Sequence, residues 1–425
     1  GGYHPTIVHG SSMRVLILTH HYPPEVGAPQ TRLSGTARFL RDQGHDVAVV
    51  TAMPSYPTGV IPPAYRRSPR ISQRIDGIQV ERTWTYARPG SSMRLRLANQ
   101  LSFTASALAA LPAVGPRDVL LVESPPLFVG FTGAVYSAAL RAPMVLHVSD
   151  LWPAVPIELG ALSNPRVIQA ARLFERGIYA ASRRLIVVTE RWRDQLAAQG
   201  VASDKIDLVT NGVDATFLDP ATDQSQRERA KVRADLGLTD KTVVACIGTV
   251  SYVYGYDTIL DAAARLASDP SIQFLIVGDG SQKAAVQEMV TTRGLTNVTL
   301  LPAQPHASIR GLLAAADILV SALQPMPVTR GQLPVRILEA MAMARPVVFS
   351  GEGVANRLVT ESGAGIATPP SDWAALAEAI ASLAADPAGR EHLGIAGRST
   401  ILDRFNRATV AARIEESLRR AIADR

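Results

Sequence analysis

The sequence predicts an α/β protein with two Rossmann-like domains, whose doubly wound parallel sheets face each other across a cleft. The 425 residues exceed what one core usually organises and fit two domains of about 200 residues each. Hydrophobic residues make up 47% of the chain and charged residues 19%, which is a folding composition. Short β-branched runs alternate with longer helical patterns, and this order gives parallel strands joined by right-handed crossovers.

The first domain is predicted over residues 13–218 and begins with a strand at 15–19. A helix at 30–43 follows with Leu33, Ala37 and Leu40 on one face, and Gly44 ends it before a strand at 47–51. The same alternation continues, with strands at 119–123, 144–148, 185–189 and 206–210 and helices at 97–114, 128–140, 166–181 and 191–199.

The second domain is predicted over residues 219–405. Its polar first stretch, 219–241, is interpreted as a linker with a short surface helix. A last helix at about 406–425 is expected to pack on the first domain, and residues 1–12 are interpreted as a leader or an appended remnant outside the fold. The alternation in between predicts strands at 243–247, 274–277, 298–301, 318–321, 347–349 and 365–368, and helices at 256–266, 282–293, 306–316, 334–344, 372–385 and 390–404.

The charge of the chain indicates which binding partners to expect, and its cysteine content indicates the cellular compartment. The single cysteine, Cys246, lies in an apolar run, so a disulfide framework is excluded and a cytoplasmic location is expected. The window 65–96 holds eight arginines against Asp76 and Glu81, an excess of six that equals the net charge of the chain. This window is interpreted either as a contact for an anionic surface or as a solvated loop and helix face. Nucleic acid is not expected, because no known nucleic-acid-binding module pattern appears.

Two strand ends of the first domain carry candidate site residues. Gly27 follows the first strand and precedes a helix, where backbone N–H groups approach phosphate closely; a plain strand-to-helix turn is the alternative. His147 and Asp150 lie three residues apart at the end of another strand. Asp150 is a candidate to accept a hydrogen bond from an acceptor hydroxyl or to act as a base. The alternative gives Asp150 a helix-capping role and leaves His147 buried with its hydrogen bonds satisfied.

The helix start at Pro334 is the most informative segment of the second domain. Arg336 lies near the positive end of the predicted helix, where it and the helix N-terminus would hold a diphosphate. Glu339 lies one turn further on a similar face, where its carboxylate could accept hydrogen bonds from two ribose hydroxyls. The alternative is an ordinary surface ion pair worth less than about 1 kcal/mol.

Five motifs, in this order, resemble the large glycosyltransferase family 4, whose members are retaining enzymes of the GT-B fold. The resemblance covers about residues 13–402. The Asp-Leu-Trp-Pro motif and the Pro-x-basic-x-x-Glu helix start at Pro334 look most like a bacterial branch that builds cell-surface polysaccharides, often with amino or deoxy sugars. The motifs are His21-Tyr-Pro-Pro, Gly44-His-Asp-Val-Ala-Val, Asp150-Leu-Trp-Pro, Asn211-Gly-Val-Asp, and Leu338-Glu-Ala-Met-Ala followed by Arg-Pro-Val-Val.

The resemblance implies a retaining, metal-independent transferase that needs no cofactor, because helix termini and basic side chains replace a metal. The second domain would bind the nucleotide-sugar donor, with Glu339 on the ribose. Gly27 would approach the phosphates from the first domain, while His147 and Asp150 would lie near the reacting sugar and the acceptor. The departing phosphate or a protein group would take the acceptor's proton.

The chain departs from the family pattern at two places. Gly331 stands where a first glutamate, seven residues before Glu339, usually touches the donor sugar. The loop that begins at Gly248 carries Thr249 and Tyr254 about where the family often places arginine and lysine. Gly248 remains a predicted donor contact, and the natural replacements for the missing charges are Arg336 and Arg330.

Donor base, sugar and acceptor stay open at this stage. UDP is the first expectation, with GDP and dTDP behind it, and the acceptor is expected to be lipid-linked or a small polyol. Window 65–96 motivates peripheral contact with the inner face of the membrane. A nucleotide-sugar epimerase and a non-catalytic GT-B-like binding partner are the alternatives. A dinucleotide oxidoreductase is not favoured, because no GxGxxG follows the first strand.

Overall fold

The computed structural model describes residues 11–25, 27–56, 58–90, 92–158, 160 and 162–424. Residues 1–10 of the predicted leader and Arg425 of the last predicted helix therefore lie outside the described residues. None of the described helices combines the length and hydropathy that crossing a bilayer would need.

The first domain holds an eight-stranded sheet within the described residues, in the order β3-β4-β2-β1-β5-β6-β7-β8. All neighbouring strands run parallel except β3 and β4. The strands are β1 Arg14–Leu18, β2 Asp46–Ala52, β3 Arg70–Ile75, β4 Ile78–Thr83, β5 Val119–Ser124, β6 Met144–Val148, β7 Arg184–Val187 and β8 Ile206–Leu208.

Helices cover both faces of this sheet and bury near-continuous apolar strands, as parallel sheets require. The predicted helix at 97–114 starts earlier and ends sooner than expected, because a 3-10 turn containing Pro112 follows it over Leu108–Ala113. The helices are α1 Ala28–Asp42, α2 Met93–Ala107, α3 Phe128–Leu140, α4 Ala154–Glu158, α5 Pro165–Ala181 and α6 Glu190–Ala198.

The antiparallel hairpin β3–β4 was not predicted and lies inside the basic window. Asp76 and Gly77 join its strands, both with positive φ (51° and 76°), which is the backbone of a type I′ turn. Interpreting the window as loop and helix was therefore wrong for residues 70–83. Arg82 is also fully buried, so it belongs to the interior and not to a basic surface.

The second domain holds a six-stranded parallel sheet within the described residues, in the order β11-β10-β9-β12-β13-β14. Each predicted strand of this domain lies inside an observed one. The strands are β9 Thr242–Ile247, β10 Ile272–Val277, β11 Val298–Leu301, β12 Ile318–Ala322, β13 Val347–Ser350 and β14 Gly365–Thr368. The helices are α7 Asp223–Asp235, α8 Tyr256–Arg265, α9 Lys283–Thr292, α10 His306–Ala315, α11 Val335–Ala342, α12 Val354–Glu361, α13 Trp373–Ala385, α14 Pro387–Thr400 and α15 Arg407–Ala423.

Helix α7 is more than the short surface helix expected in a linker. It packs against α10, and Glu228 on α7 forms an ion pair with Arg310 at 2.6 Å. The chain returns to the first domain through α15, whose Val410, Ile414 and Leu418 join the core under β1 and β5. Just before α15, the Arg407 N–H donates to the Val213 carbonyl (2.9 Å), so the two segments that connect the domains are bonded to each other.

Candidate active site

Loops at the carboxyl ends of both sheets meet across the interdomain cleft. The loop after β12, residues 324–334, reaches the first domain, where the Val328 N–H donates to Glu158 Oε2 at 2.8 Å. Thr189 Oγ1, at the start of α6, donates to the Gly331 carbonyl at 2.9 Å. Ligands of open parallel sheets bind at these strand ends, so the cleft is the natural place for a site.

Gly331 packs directly against the first domain. A Cβ placed there would lie 2.6 Å from the Trp192 ring, closer than side-chain carbons approach. Trp192 is itself buried at 1% exposure, so the ring has little room to move. The position at which the family carries a glutamate therefore has no space for a side chain.

Arg336 lies against the loop that follows β9. Its Nη2 donates to the Thr249 carbonyl at 2.6 Å, and its guanidinium stacks on the Tyr254 ring at 3.8 Å. A Cβ at Gly248, whose φ is +136°, would come within 3.0 Å of the same guanidinium. The structure thus brings Gly248 and Arg336 together and places a positive charge beside the positions of the two missing basic residues.

Glu339 lies one turn into α11, and its partly buried carboxylate forms no hydrogen bond or ion pair with any described residue. Burial raises the pKa of its carboxyl, an effect that the charges of Arg336 and Arg407 partly offset. Even a partly buried carboxylate without partners carries a desolvation cost, which a ligand that supplies donors would reduce. Two ribose hydroxyls would supply such donors.

Arg330 and Gly27 are placed less decisively. Arg330 is about half exposed and forms a 2.7 Å ion pair with Glu352, so the charge predicted for the diphosphate is already paired. Gly27 lies directly before α1, and the Thr31 N–H donates to its carbonyl at 3.0 Å. Gly27 is therefore at a helix N-terminus of the first domain, as predicted.

Asp150 follows β6, and its carboxylate has an unpartnered oxygen and a raised pKa. Its Oδ1 is buried without a hydrogen-bond partner. Burial raises the pKa of Asp150 to about 6, although the Leu151 N–H, which donates to the carboxylate, lowers it somewhat. A carboxylate with a pKa near the working pH suits a base that takes a proton from a hydroxyl.

His147 is fixed inside the first domain by a buried polar network. Its Nδ1 lies 2.7 Å from Glu123 Oε2, and Ser149 Oγ donates to Glu123 Oε1 at 3.0 Å. The Arg32 guanidinium donates to the same carboxylate and, at 2.7 Å, to Asn211 Oδ1. This arrangement matches the alternative in which His147 is buried and satisfied, and it makes Glu123 and Arg32 the supports of the strand end that carries Asp150.

A second polar cluster, which the sequence analysis missed, lies at the end of β1. His21 Nδ1 is 3.0 Å from Glu25 Oε2, and His20 Nδ1 is 3.2 Å from His21 Nε2. Glu25 Oε1 accepts the N–H groups of Ser55 and Tyr56, which fixes the loop after β2. His20 Nε2 is buried without a partner. The spacing of four between His21 and Glu25 was a usable signal for this pair.

Metal-binding side chains do not cluster in the described part of the chain. No group of three or more His, Cys, Asp or Glu residues there is arranged to hold an ion.

Family models match both domains. Residues 27–212 match the "Glycosyl transferase 4-like domain", and residues 228–400 match "Glycosyl transferases group 1". Together these matches cover most of the chain.

Curated relatives match most of the chain. A protein of Escherichia coli strain K12, named as a colanic acid biosynthesis glycosyl transferase, is 25% identical over 80% of this chain and 84% of its own length. The alpha-maltose-1-phosphate synthase of Mycolicibacterium smegmatis is 27% identical over 97% of this chain and 100% of its own length.

Solved structures share the architecture. The Anabaena protein HepE, crystallised with UDP and glucose, superposes with a TM-score of 0.69 at 21% identity, covering 96% of this chain and 99% of that one. At this identity, the likeness establishes the GT-B fold alone.

Proposed function

The chain belongs to glycosyltransferase family 4 and is a GT-B glycosyltransferase that uses a nucleotide-sugar donor, and from this premise we propose that it transfers a hexose from UDP to an acceptor hydroxyl with retention of the anomeric configuration. The observation that carries the donor site is the unpartnered Glu339 carboxylate, one turn from Arg336 on α11. We also propose an amino or deoxy hexose, from the bacterial branch that the motifs resemble.

The donor lies on the second domain in this proposal. Glu339 accepts the ribose hydroxyls, and Arg336 with the backbone of Gly248 holds the diphosphate. Gly27 approaches the phosphates from the first domain at the N-terminus of α1. Because Trp192 fills the space beside Gly331, the sugar is held without the usual glutamate. A suitable sugar either lacks the hydroxyl that this glutamate would bind or carries another substituent in its place.

Transfer proceeds on the face from which the diphosphate leaves. The bond between C1 and the phosphate oxygen breaks, the diphosphate departs with the electron pair, and the acceptor oxygen attacks the oxocarbenium-like sugar. Asp150 takes the acceptor's proton. Arg336 stabilises the charge on the departing diphosphate, so the reaction is proposed to need no metal.

A donor panel tests the proposal. The full chain is incubated with UDP-, GDP- and dTDP-hexoses and an acceptor-rich cell extract, with and without EDTA, and nucleoside diphosphate release is measured. Release from a UDP-hexose that needs extract and survives EDTA is expected, and the anomeric coupling constant of the product reports retention. Isomerisation of the donor without extract would favour an epimerase. No turnover of any donor would favour a binding partner.

A membrane surface is the proposed location of the acceptor. Trp84 and Met93 are 47% and 40% exposed, and they lie in the same stretch, from the end of β4 to the first turn of α2, as the exposed Arg88, Arg94 and Arg96. Aromatic and basic side chains together favour the interface of an anionic bilayer. The membrane contact is thus proposed for residues 84–96 of the predicted window.

Charge reversal at this surface should weaken vesicle binding. Arg94→Glu combined with Arg96→Glu is expected to reduce sedimentation with phosphatidylglycerol vesicles at least tenfold at low salt, since each arginine contributes about 1 kcal/mol near such a surface. Arg265→Glu, at an exposed arginine of the second domain, is the matched control. Equal binding of the wild type to neutral and anionic vesicles, or no binding at low salt, would refute the membrane contact.

A further inference from the structure

A cavity of about 370 Å³ lies at the opposite end of the second domain from the cleft. It opens where β12 and β13 begin, between the end of α11 and the first turn of α14. Asp317, Met343, Arg345, Arg390, Glu391 and Ile395 are among its lining residues. None of these residues belongs to the donor or acceptor sites described above.

Arg345 is a partly buried cation on the wall of the cavity. Its Nη2 donates to the Ala314 carbonyl at 3.1 Å, while its Nε is buried without a partner. No described carboxylate forms an ion pair with Arg345. Burial, together with the nearby charge of Arg229, lowers the pKa of its guanidinium to about 10. An uncompensated buried charge is costly, and an anion in the cavity would remove that cost.

The neighbouring carboxylates do not fill this role. Asp317 is already engaged by Arg229 at 2.8 Å and by Arg233 at 3.0 Å, and its Oδ2 also accepts the Val243 N–H. Glu391 is exposed on α14. Two guanidiniums, Arg345 and Arg390, and two carboxylates, Asp317 and Glu391, line the cavity, and neither guanidinium forms an ion pair with a described carboxylate.

A second guanidinium completes the binding surface. Arg390 donates to the carbonyls of Leu383 and Ala384 and forms no ion pair with a described residue. The N-terminus of its helix, α14, is already capped by the Asp386 carboxylate, which accepts the Gly389 N–H at 2.9 Å, so the two guanidiniums and not the helix end would hold an anion. The cavity is larger than a phosphate group alone requires, and Ile395, which is 60% exposed, offers apolar contact for an organic part.

We propose that this cavity binds a small phosphomonoester, with its phosphate between Arg345 and Arg390. The two guanidiniums supply charge-assisted hydrogen bonds to the phosphate oxygens. The cavity lies beyond the C-terminal end of α11, and neither Arg336 nor Glu339, which this helix carries, is among its lining residues.

Thermal unfolding of the full chain tests the proposal. Inorganic phosphate and glycerol 3-phosphate are titrated against sodium chloride of equal ionic strength. The probes are expected to raise Tm by a few degrees in the wild type and in Arg265→Met, an exposed control, and to have no effect in Arg345→Met. A larger shift with glycerol 3-phosphate supports the phosphomonoester; an equal shift assigns free phosphate as the ligand and overturns the need for an organic part.

The donor site is the main competitor for phosphate, and Arg336→Met separates the two. A Tm shift that persists in Arg336→Met would place the anion in the cavity. A Tm shift that is lost in Arg336→Met but kept in Arg345→Met would overturn the proposal. No shift in the wild type also overturns it. If Arg345→Met does not fold, Arg390→Met takes its place with the same expected loss.

Discussion

Asp150→Asn is expected to lower kcat by about 10²–10⁴-fold, the range that general base catalysis usually contributes. Asparagine keeps the size of the side chain but cannot take the acceptor's proton. Donor KM should change little, because Asp150 is on the first domain and the ribose and diphosphate contacts are on the second. Steady-state kinetics with the donor identified by the panel measure both constants.

The same substitution should stabilise the folded protein above pH 6. The pKa of Asp150 is raised from 3.8 to about 6, so the folded state disfavours the charged form. The stability that the protonated group provides is full below pH 4 and is lost as the pH rises through 6. At pH 8 the charged carboxylate therefore costs up to about 3 kcal/mol, which Asp150→Asn would recover.

Denaturant unfolding at pH 4 and pH 8 checks this gain, which should be present only at the higher pH. A variant that is more stable yet nearly inactive would show that Asp150 is kept for chemistry. Unchanged kcat would instead leave the departing phosphate as the group that takes the proton, and the assignment of Asp150 as base would be withdrawn.

Glu123→Gln is expected to destabilise the protein by about 3–5 kcal/mol, because it leaves the buried Arg32 guanidinium without its counter-charge. Burial alone would raise the pKa of Glu123, but Arg32 and His147 lower it below its ordinary value. Its contribution is therefore present above about pH 4.3 and is lost as the pH falls through the lower folded value. Urea unfolding at pH 7 measures the loss.

An exposed ion pair provides the matched control. Asp261→Asn breaks the solvent-exposed pair with Arg293 and should cost less than about 1 kcal/mol. Combining Glu123→Gln with Arg32→Met should recover part of the loss, since both charges are then gone. A loss below 1 kcal/mol for Glu123→Gln would mean that the network does not hold the strand end together.

Much of the fold followed from the sequence because buried parallel strands are continuous apolar runs. Strands such as β9 and β12 have no polar face that could confuse their assignment. The β3–β4 hairpin was missed because its arginines alternate with apolar residues and were counted as a charge run. Asp76-Gly77 was the local signal that could have corrected this, since the pair favours a type I′ turn.

Some of the candidate site residues could be predicted from local sequence patterns, and others could not. Asp150 could be proposed from the sequence because it follows a strand at the edge of the sheet where ligands bind. Glu339 could be proposed because it lies near the start of a helix at such an edge. Glu123 could not be linked to His147, because their contact depends on β5 lying beside β6 in the sheet. The lack of space for a side chain at Gly331 could not be predicted either, because Trp192 belongs to the other domain. Such contacts depend on how distant segments pack, and periodicity carries no information about that.

Nucleotide binding by the second domain is the central claim, and ligand-dependent thermal unfolding tests it most directly. The wild type, Glu339→Ala and Glu288→Ala, an exposed glutamate on α9, are each unfolded with UDP, GDP and dTDP. One nucleotide, expected to be UDP, should stabilise the wild type and Glu288→Ala by about 2.7 kcal/mol at 100 times its Kd, and should leave Glu339→Ala unshifted. An equal shift in Glu339→Ala, or no shift with any nucleotide, would contradict the proposed donor site.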